Sequence, residues 1–211
     1  MTRPLRWGLV VLAVLGALAA CRASPAPEVA PPLLTRAQAE ARTVVPFTRA
    51  VQLQKAGRIA EVTFDLPAPQ KPAIPILNIG LRLQDTDGRS LLNVWEKLRL
   101  ERPPMRLRLQ RIDGGAPGPV QLWQSTPDGR DSQRIPEDEV VQYLSDTSLD
   151  EGALIEAGLH SREMLYQVLQ VADVGWLEPG RYRLTVDLME DRPQLQGLQV
   201  ELVVGYQSLG K

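Results

Sequence analysis

Cysteine is almost absent: Cys21 is the single one in 211 residues. No disulfide can close within the chain, and no cysteine zinc site can be assembled. Histidine is as scarce, with His160 alone. A Ser-His-Asp arrangement would have to use that ring with Ser161 and Asp146 or Asp150, and no G-x-S-x-G elbow accompanies them. His160 is therefore expected to be a solvated side chain in an acidic segment. The chain has no phosphate loop and no dinucleotide fingerprint. Acids crowd residues 136–156, but without the D-x-D-x-D-G spacing of a calcium loop. Asp85-Thr86-Asp87-Gly88 is a fragment of that pattern and reads as a turn. A paired-carboxylate hydrolase needs two acids across a cleft, and none of the acids is marked out. These absences predict no cofactor, no metal and no catalytic residue. A net charge of -1 predicts no nucleic-acid partner.

What is present begins with the N-terminus. Arg3 and Arg6 precede an apolar run, Leu9 to Leu18, too short for the ~20 residues of a spanning helix. Small residues come next, closing on Leu18-Ala19-Ala20-Cys21. This order predicts a secretory signal over 1–20. Losing Arg3 and Arg6 would leave 22 basic against 25 acidic residues, a net charge of -3. Four prolines, Pro25, Pro27, Pro31 and Pro32, stiffen the next stretch, so 21–42 reads as a tether. Its end, 35–42, is helix-permitting but carries little apolar surface.

From residue 43 the dominant signal is period two. In 58–66, Ala60, Val62, Phe64 and Leu66 alternate with polar neighbours; so do Leu77, Ile79, Leu81 and Leu83 in 76–84. Met105, Leu107 and Leu109 do the same in 105–110, as do Tyr182, Leu184, Val186 and Leu188 in 181–188. In 198–205 the set is Leu198, Val200, Leu202 and Val204. Segments 118–124 and 164–171 alternate more weakly. Strands that bury one face and wet the other make antiparallel sheets. Residues 43–211 are thus expected to form a mainly β, antiparallel sandwich, with an insertion over about 126–163. PEDEVVQYL and DEGALIEAGL in that insertion read as one or two short helices. Trp176 is expected in the core. Trp95 and Trp123 flank weaker strands and read as core rather than interface anchors. Arg99, Arg102, Arg106, Arg108 and Arg111 form a basic stretch, read as a solvated face.

Leu177-Glu178-Pro179-Gly180-Arg181-Tyr182 has the form L-x-P-G-x-Y before the clearest strand. It resembles the tyrosine corner of Greek-key sandwiches, where the hydroxyl returns to backbone upstream. The chain also carries two family resemblances. The quartet ending at Cys21 resembles the lipobox of bacterial lipoproteins. That implies a diacylglyceryl thioether and an acylated amine (palmitate-type chains) on Cys21, and anchoring on the periplasmic side of a membrane. One acyl chain binds marginally, whereas two or more hold. Arg22 in place of Asp tilts the implied membrane toward the outer one. The sequence from Gly57, through the corner, to Pro193-x-Leu195-x-Gly197-x-x-Val200 resembles a family of small lipoproteins of unassigned function with an immunoglobulin-like sandwich. The resemblance implies a non-enzymatic protein-binding module, in its sharpest form an immunity protein against a secreted toxin. The alternatives are a structural or assembly lipoprotein of the envelope, and a hydrolase with an unrecognised site.

Overall fold

Alternating apolar residues become strands wherever both faces of the pleat can be satisfied. A computed structural model describes residues 31–68, 74–114, 118–126, 131–141 and 143–208. Cys21, the signal 1–20 and the first part of the tether lie outside the described residues. The strands are β1 (Phe47–Val51), β2 (Gly57–Leu66), β3 (Ile74–Asp85), β4 (Met105–Arg111), β5 (Gly118–Pro119), β6 (Leu122–Ser125), β7 (Ser132–Ile135), β8 (Ser145–Asp146), β9 (Leu165–Val174), β10 (Gly180–Leu188) and β11 (Val200–Gln207). The helices are α1 (Arg36–Ala41), α2 (Gly88–Glu101) and α3 (Glu151–Glu156).

Two antiparallel sheets result. The larger runs β1-β11-β3-β9-β6-β7, with β8 also on β9; the smaller runs β2-β10-β4-β5. This is the β-sandwich architecture expected, with a short helical insertion. The last two strands, β10 and β11, lie in opposite sheets. The alternating residues named above, from Ala60 to Val204, meet between the sheets, with Leu198 packed at the margin. Burying each such side chain contributes about 1.5–3 kcal/mol.

The corner is built as its sequence suggests. Tyr182 is buried and its Oη donates to the Glu178 carbonyl at 2.7 Å. Its ring stacks on Phe64 at 5.9 Å between centroids. Leu177 packs against the core. The Pro179 carbonyl accepts from Arg111 at 3.1 Å. Gly180 makes room for the Arg111–Asp113 pair, because a Cβ there would lie 2.9 Å from Asp113 Oδ1. The Arg111 guanidinium in turn holds the Asp113 carboxyl below its usual range.

Strand β3 is buried on both faces. Its outward side carries Asn78, Gly80 and Arg82, all buried. A second small core covers this face. Leu149, Leu154 and Leu159 pack on Val203 of β11, joined by Leu34, Ala39, Ala157 and Val168. Residues 31–42, expected to belong to the tether, are therefore part of the folded unit, which begins at Pro31. Thr35 closes a capping box on α1 with Gln38. Leu34 N donates to the Gly158 carbonyl at 2.8 Å.

Arg82 rivets the cover to the sheet. It stands opposite Glu201 in register, and its Nε and Nη2 donate to Glu201 Oε2 at 2.9 and 2.6 Å. Its Nη1 donates to the Leu159 carbonyl at 2.7 Å, and its guanidinium lies 5.0 Å from the Tyr166 ring.

Two expectations are corrected. PEDEVVQYL is not a helix: Val141 is needed in the core and bridges Met105, while Asp138 adopts a positive φ of 69°. Trp176 is not core but 60% exposed, because Leu177 and Tyr182 take the inward places around the corner.

Removing one hydroxyl should test the corner. Tyr182→Phe is expected to lower stability by about 1 kcal/mol, read from the denaturant midpoint; an unchanged midpoint would count against the bond. Glu201→Ala strands a buried guanidinium and should cost about 3–5 kcal/mol. Amide exchange should then quicken first in 149–161, the segment that Arg82 holds.

Candidate functional site

The insertion and the β3–β4 crossover together make a cleft. The crossover is α2, a helix that the period-two reading passed over. Asp87 caps it, accepting from Arg89 N and Ser90 N at 3.2 Å each. Leu91 and Leu98 are its buried contacts, with Val94 and Trp95 partly buried between them. That i, i+3/i+4, i+7 spacing was readable in the sequence, but Asp87-Gly88 read as a turn. Arg102 ends the helix in the left-handed region, φ 43°, before Pro103 and Pro104. The helix leaves Leu92 and Leu100 exposed, at 49% and 81%.

Facing α2 is the segment 143–146, whose last two residues are β8. Between them opens a cleft of about 700 Å³, reaching Ser125 and Thr126 at the end of β6. Trp95 Nε1 donates to Asp146 Oδ1 at 3.1 Å, tying the helix to β8. Ser145 Oγ donates to Ser125 Oγ at 3.2 Å, tying β8 to β6. Arg99 lies 4.6 Å over the Trp95 ring and Arg102 lies 5.5 Å from the Tyr143 ring. Cation–π contact holds each guanidinium in place while leaving its in-plane N–H donors free.

The basic stretch thus divides. Arg106 donates to the Asp138 carbonyl at 3.1 Å, Arg108 pairs with the Asp138 carboxylate, and Arg111 pairs with Asp113 at 3.0 Å. Arg108 holds the Asp138 carboxyl below its usual range. Among the described residues, no ion pair or hydrogen bond is made by the guanidinium of Arg99 or of Arg102. Trp95, read as core, is a partly buried wall of the cleft. Trp123 is 38% exposed on the outer face of β6, not core. Leu122 and Gln124 take the inward places of β6, so Trp123 between them faces out.

The hydrolase candidates are not brought together. Asp150 caps α3 by accepting from Ala153 N at 3.1 Å. Asp146 holds the Trp95 indole. Ser161 Oγ accepts from Glu163 N at 3.2 Å. His160 is not solvated as expected: it is half-buried, with Nε2 3.1 Å from Glu151 Oε1 and its ring 4.1 Å from that of Tyr166. Burial lowers its pKa below 6.5, outweighing the pull of Glu151. Among the described residues no group of three His, Cys, Asp or Glu side chains could hold a metal ion. No helix among them is long and apolar enough to cross a membrane.

No protein-family description matches the chain, and no curated protein matches it in sequence. A crystal structure of a protein from Sulfurospirillum deleyianum is similar to it at 10% sequence identity. That match covers 78% of this chain and 98% of the other, with a TM-score of 0.41.

As the sole histidine, His160 can be followed alone by NMR. Its ring protons should titrate below 6.5, and further below in Glu151→Gln. A depressed histidine pKa means that the unfolded chain takes up the proton first. The stability linked to His160 is therefore present above about pH 6.5 and lost as pH falls toward the folded value. His160→Gln should flatten that loss; a midpoint above 6.5 would reverse the sign.

Proposed function

We propose that the chain is a non-enzymatic, protein-binding lipoprotein of the bacterial envelope, anchored through Cys21 and facing the periplasm. The cleft between α2 and residues 143–146 is its binding surface. One observation carries the reading: Trp95, Tyr143, Arg99 and Arg102 converge there, and Trp, Tyr and Arg supply most binding hot spots. Exposed Leu100 at the rim adds apolar area that folding leaves unburied. Anchoring rests on the lipobox at residues 18–21 and the signal before it. Nine residues lie between Cys21 and Pro31, a reach of about 35 Å over the ten Cα–Cα steps at full extension. The domain would then work within that distance of the membrane, where Arg22 favours the outer one. A toxin-capturing immunity protein and an envelope assembly protein would both use such a surface; the captured partner tells them apart.

Two measurements test the reading. Labelled palmitate should enter the wild-type chain and be lost from Cys21→Ser, which should leave the membrane fraction. A photoreactive residue at Leu100, in the full chain in cells, should yield one discrete adduct with another protein. The same residue at Arg183, exposed on β10, should not yield it. Retained palmitate in Cys21→Ser would refute the anchor, and identical or empty patterns at both positions would refute the surface.

A further inference from the structure

Arg99 lies on the last turn of α2 and Arg102 caps it just beyond Glu101, and both line the cleft. Each is laid against an aromatic ring, at 4.6 Å and 5.5 Å, and neither is spent on a carboxylate among the described residues. Their neighbours show that pairing is available nearby: Arg106, Arg108 and Arg111 are all engaged. Arg102 also occupies a left-handed backbone position, φ 43°, that glycine would fill without steric cost. A side chain kept at such a position, stacked and without a partner among the described residues, points to use by a ligand.

The required ligand chemistry is set by the guanidinium. Its planar fork matches a carboxylate or a phosphate in bidentate fashion. The charge of the cleft decides between them. Glu96 and Asp146 also line it, so its formal charge is near zero. A dense phosphate surface, whether anionic lipid or nucleic acid, is drawn by a positive field that this cleft does not supply. Two separate carboxylates, each meeting one guanidinium, need no such field. Alternate side chains of an extended strand fall on one side, roughly 6.8 Å apart, so one segment can offer two carboxylates to one cleft. Leu100, exposed and lining the same cleft, asks for an apolar contact.

We infer that the cleft seats an extended acidic segment of a partner protein, two of whose carboxylates dock on Arg99 and Arg102 while an apolar side chain covers Leu100. This rests on the protein-binding reading above and adds the partner's chemistry to it.

The test uses the chain from residue 22, which retains the whole folded unit, with Trp123→Phe and Trp176→Phe so that Trp95 alone reports. The probe is an acetylated, amidated hexapeptide of alternating Glu and Leu, compared with its Gln–Leu counterpart. Trp95 fluorescence should saturate with the Glu peptide, and the Gln peptide should bind about tenfold more weakly or worse. Salt should weaken the Glu peptide alone. Arg99→Gln should erase the preference. Arg102→Gly should erase it too, with an unchanged or raised melting temperature, which separates lost recognition from lost folding. Equal affinity for the two peptides, no binding of either, or intact preference in both arginine variants overturns the proposal. If Leu100 still cross-links to a protein under any of those outcomes, protein binding stands and only the acidic partner falls; if it does not, both fall together.

Discussion

Strand β3 is buried on both faces, and much of the rest depends on that. One face carries Leu77, Ile79, Leu81 and Leu83 into the sandwich. The other carries Asn78, Gly80 and Arg82, which an ordinary two-layer sandwich would leave in water. Covering an arginine is costly unless its charge and its donors are met. Glu201 meets the charge from the next strand in register, and the Leu159 carbonyl meets a further donor. Only a third layer can bring that carbonyl there. Residues 149–159 and the strap from Pro31 form it, and they bring Leu149, Leu154, Ala157, Leu159, Leu34 and Ala39 of their own. Gly80 is part of the same constraint, since a Cβ there would lie 2.8 Å from the Leu169 carbonyl of β9.

The sandwich was legible because its signal is local and repeated. Each strand from β2 to β11 that carries three or four alternating apolar residues was readable within its own segment. The corner was legible for the same reason: its six residues are contiguous, and their roles are backbone geometry and one hydroxyl. Short strands were harder. β7 (Ser132–Ile135) buries Ile135 alone, and β8 has two residues, so neither offers a period to detect. Helix α2 failed differently. Its buried spacing is present, but Asp87-Gly88 is turn chemistry and N-cap chemistry at once. The aspartate side chain caps a helix only if the residues downstream of it have a core to pack against.

The cleft was not legible, and for a different physical reason. Trp95 and Asp146 are 51 positions apart, and Tyr143 lies in a segment whose composition favoured a helix. Composition alone makes Arg99, Arg102, Arg106, Arg108 and Arg111 equivalent. Their difference is whether an acceptor comes within reach: Asp138, which turns with φ 69° toward β4, serves Arg106 and Arg108, and Asp113 serves Arg111. A positive φ at a non-glycine residue leaves no mark in a sequence pattern.

Reach also explains why Arg99 and Arg102 sit where they do. A guanidinium on a strand face, such as that of Arg108, has cross-strand and loop carboxylates as immediate neighbours and is neutralised. One at the C-terminal end of a helix has the carbonyl end of the macrodipole for company, which favours its charge without occupying its donors. Stacking on Trp95 or Tyr143 fixes its plane, again without consuming an N–H. A site that must hold donors ready for an incoming acid therefore has a physical reason to use a helix end against aromatic rings, and a reason to stand away from a sheet edge. α2 supplies the helix end; residues 143–146, whose β8 pairs with β9 in the larger sheet, supply the opposing wall. The surface proposed for binding is in this sense set by what ties the crossover helix to that short strand, the Trp95–Asp146 hydrogen bond, and changes that break it should blur the cleft before they melt the sandwich.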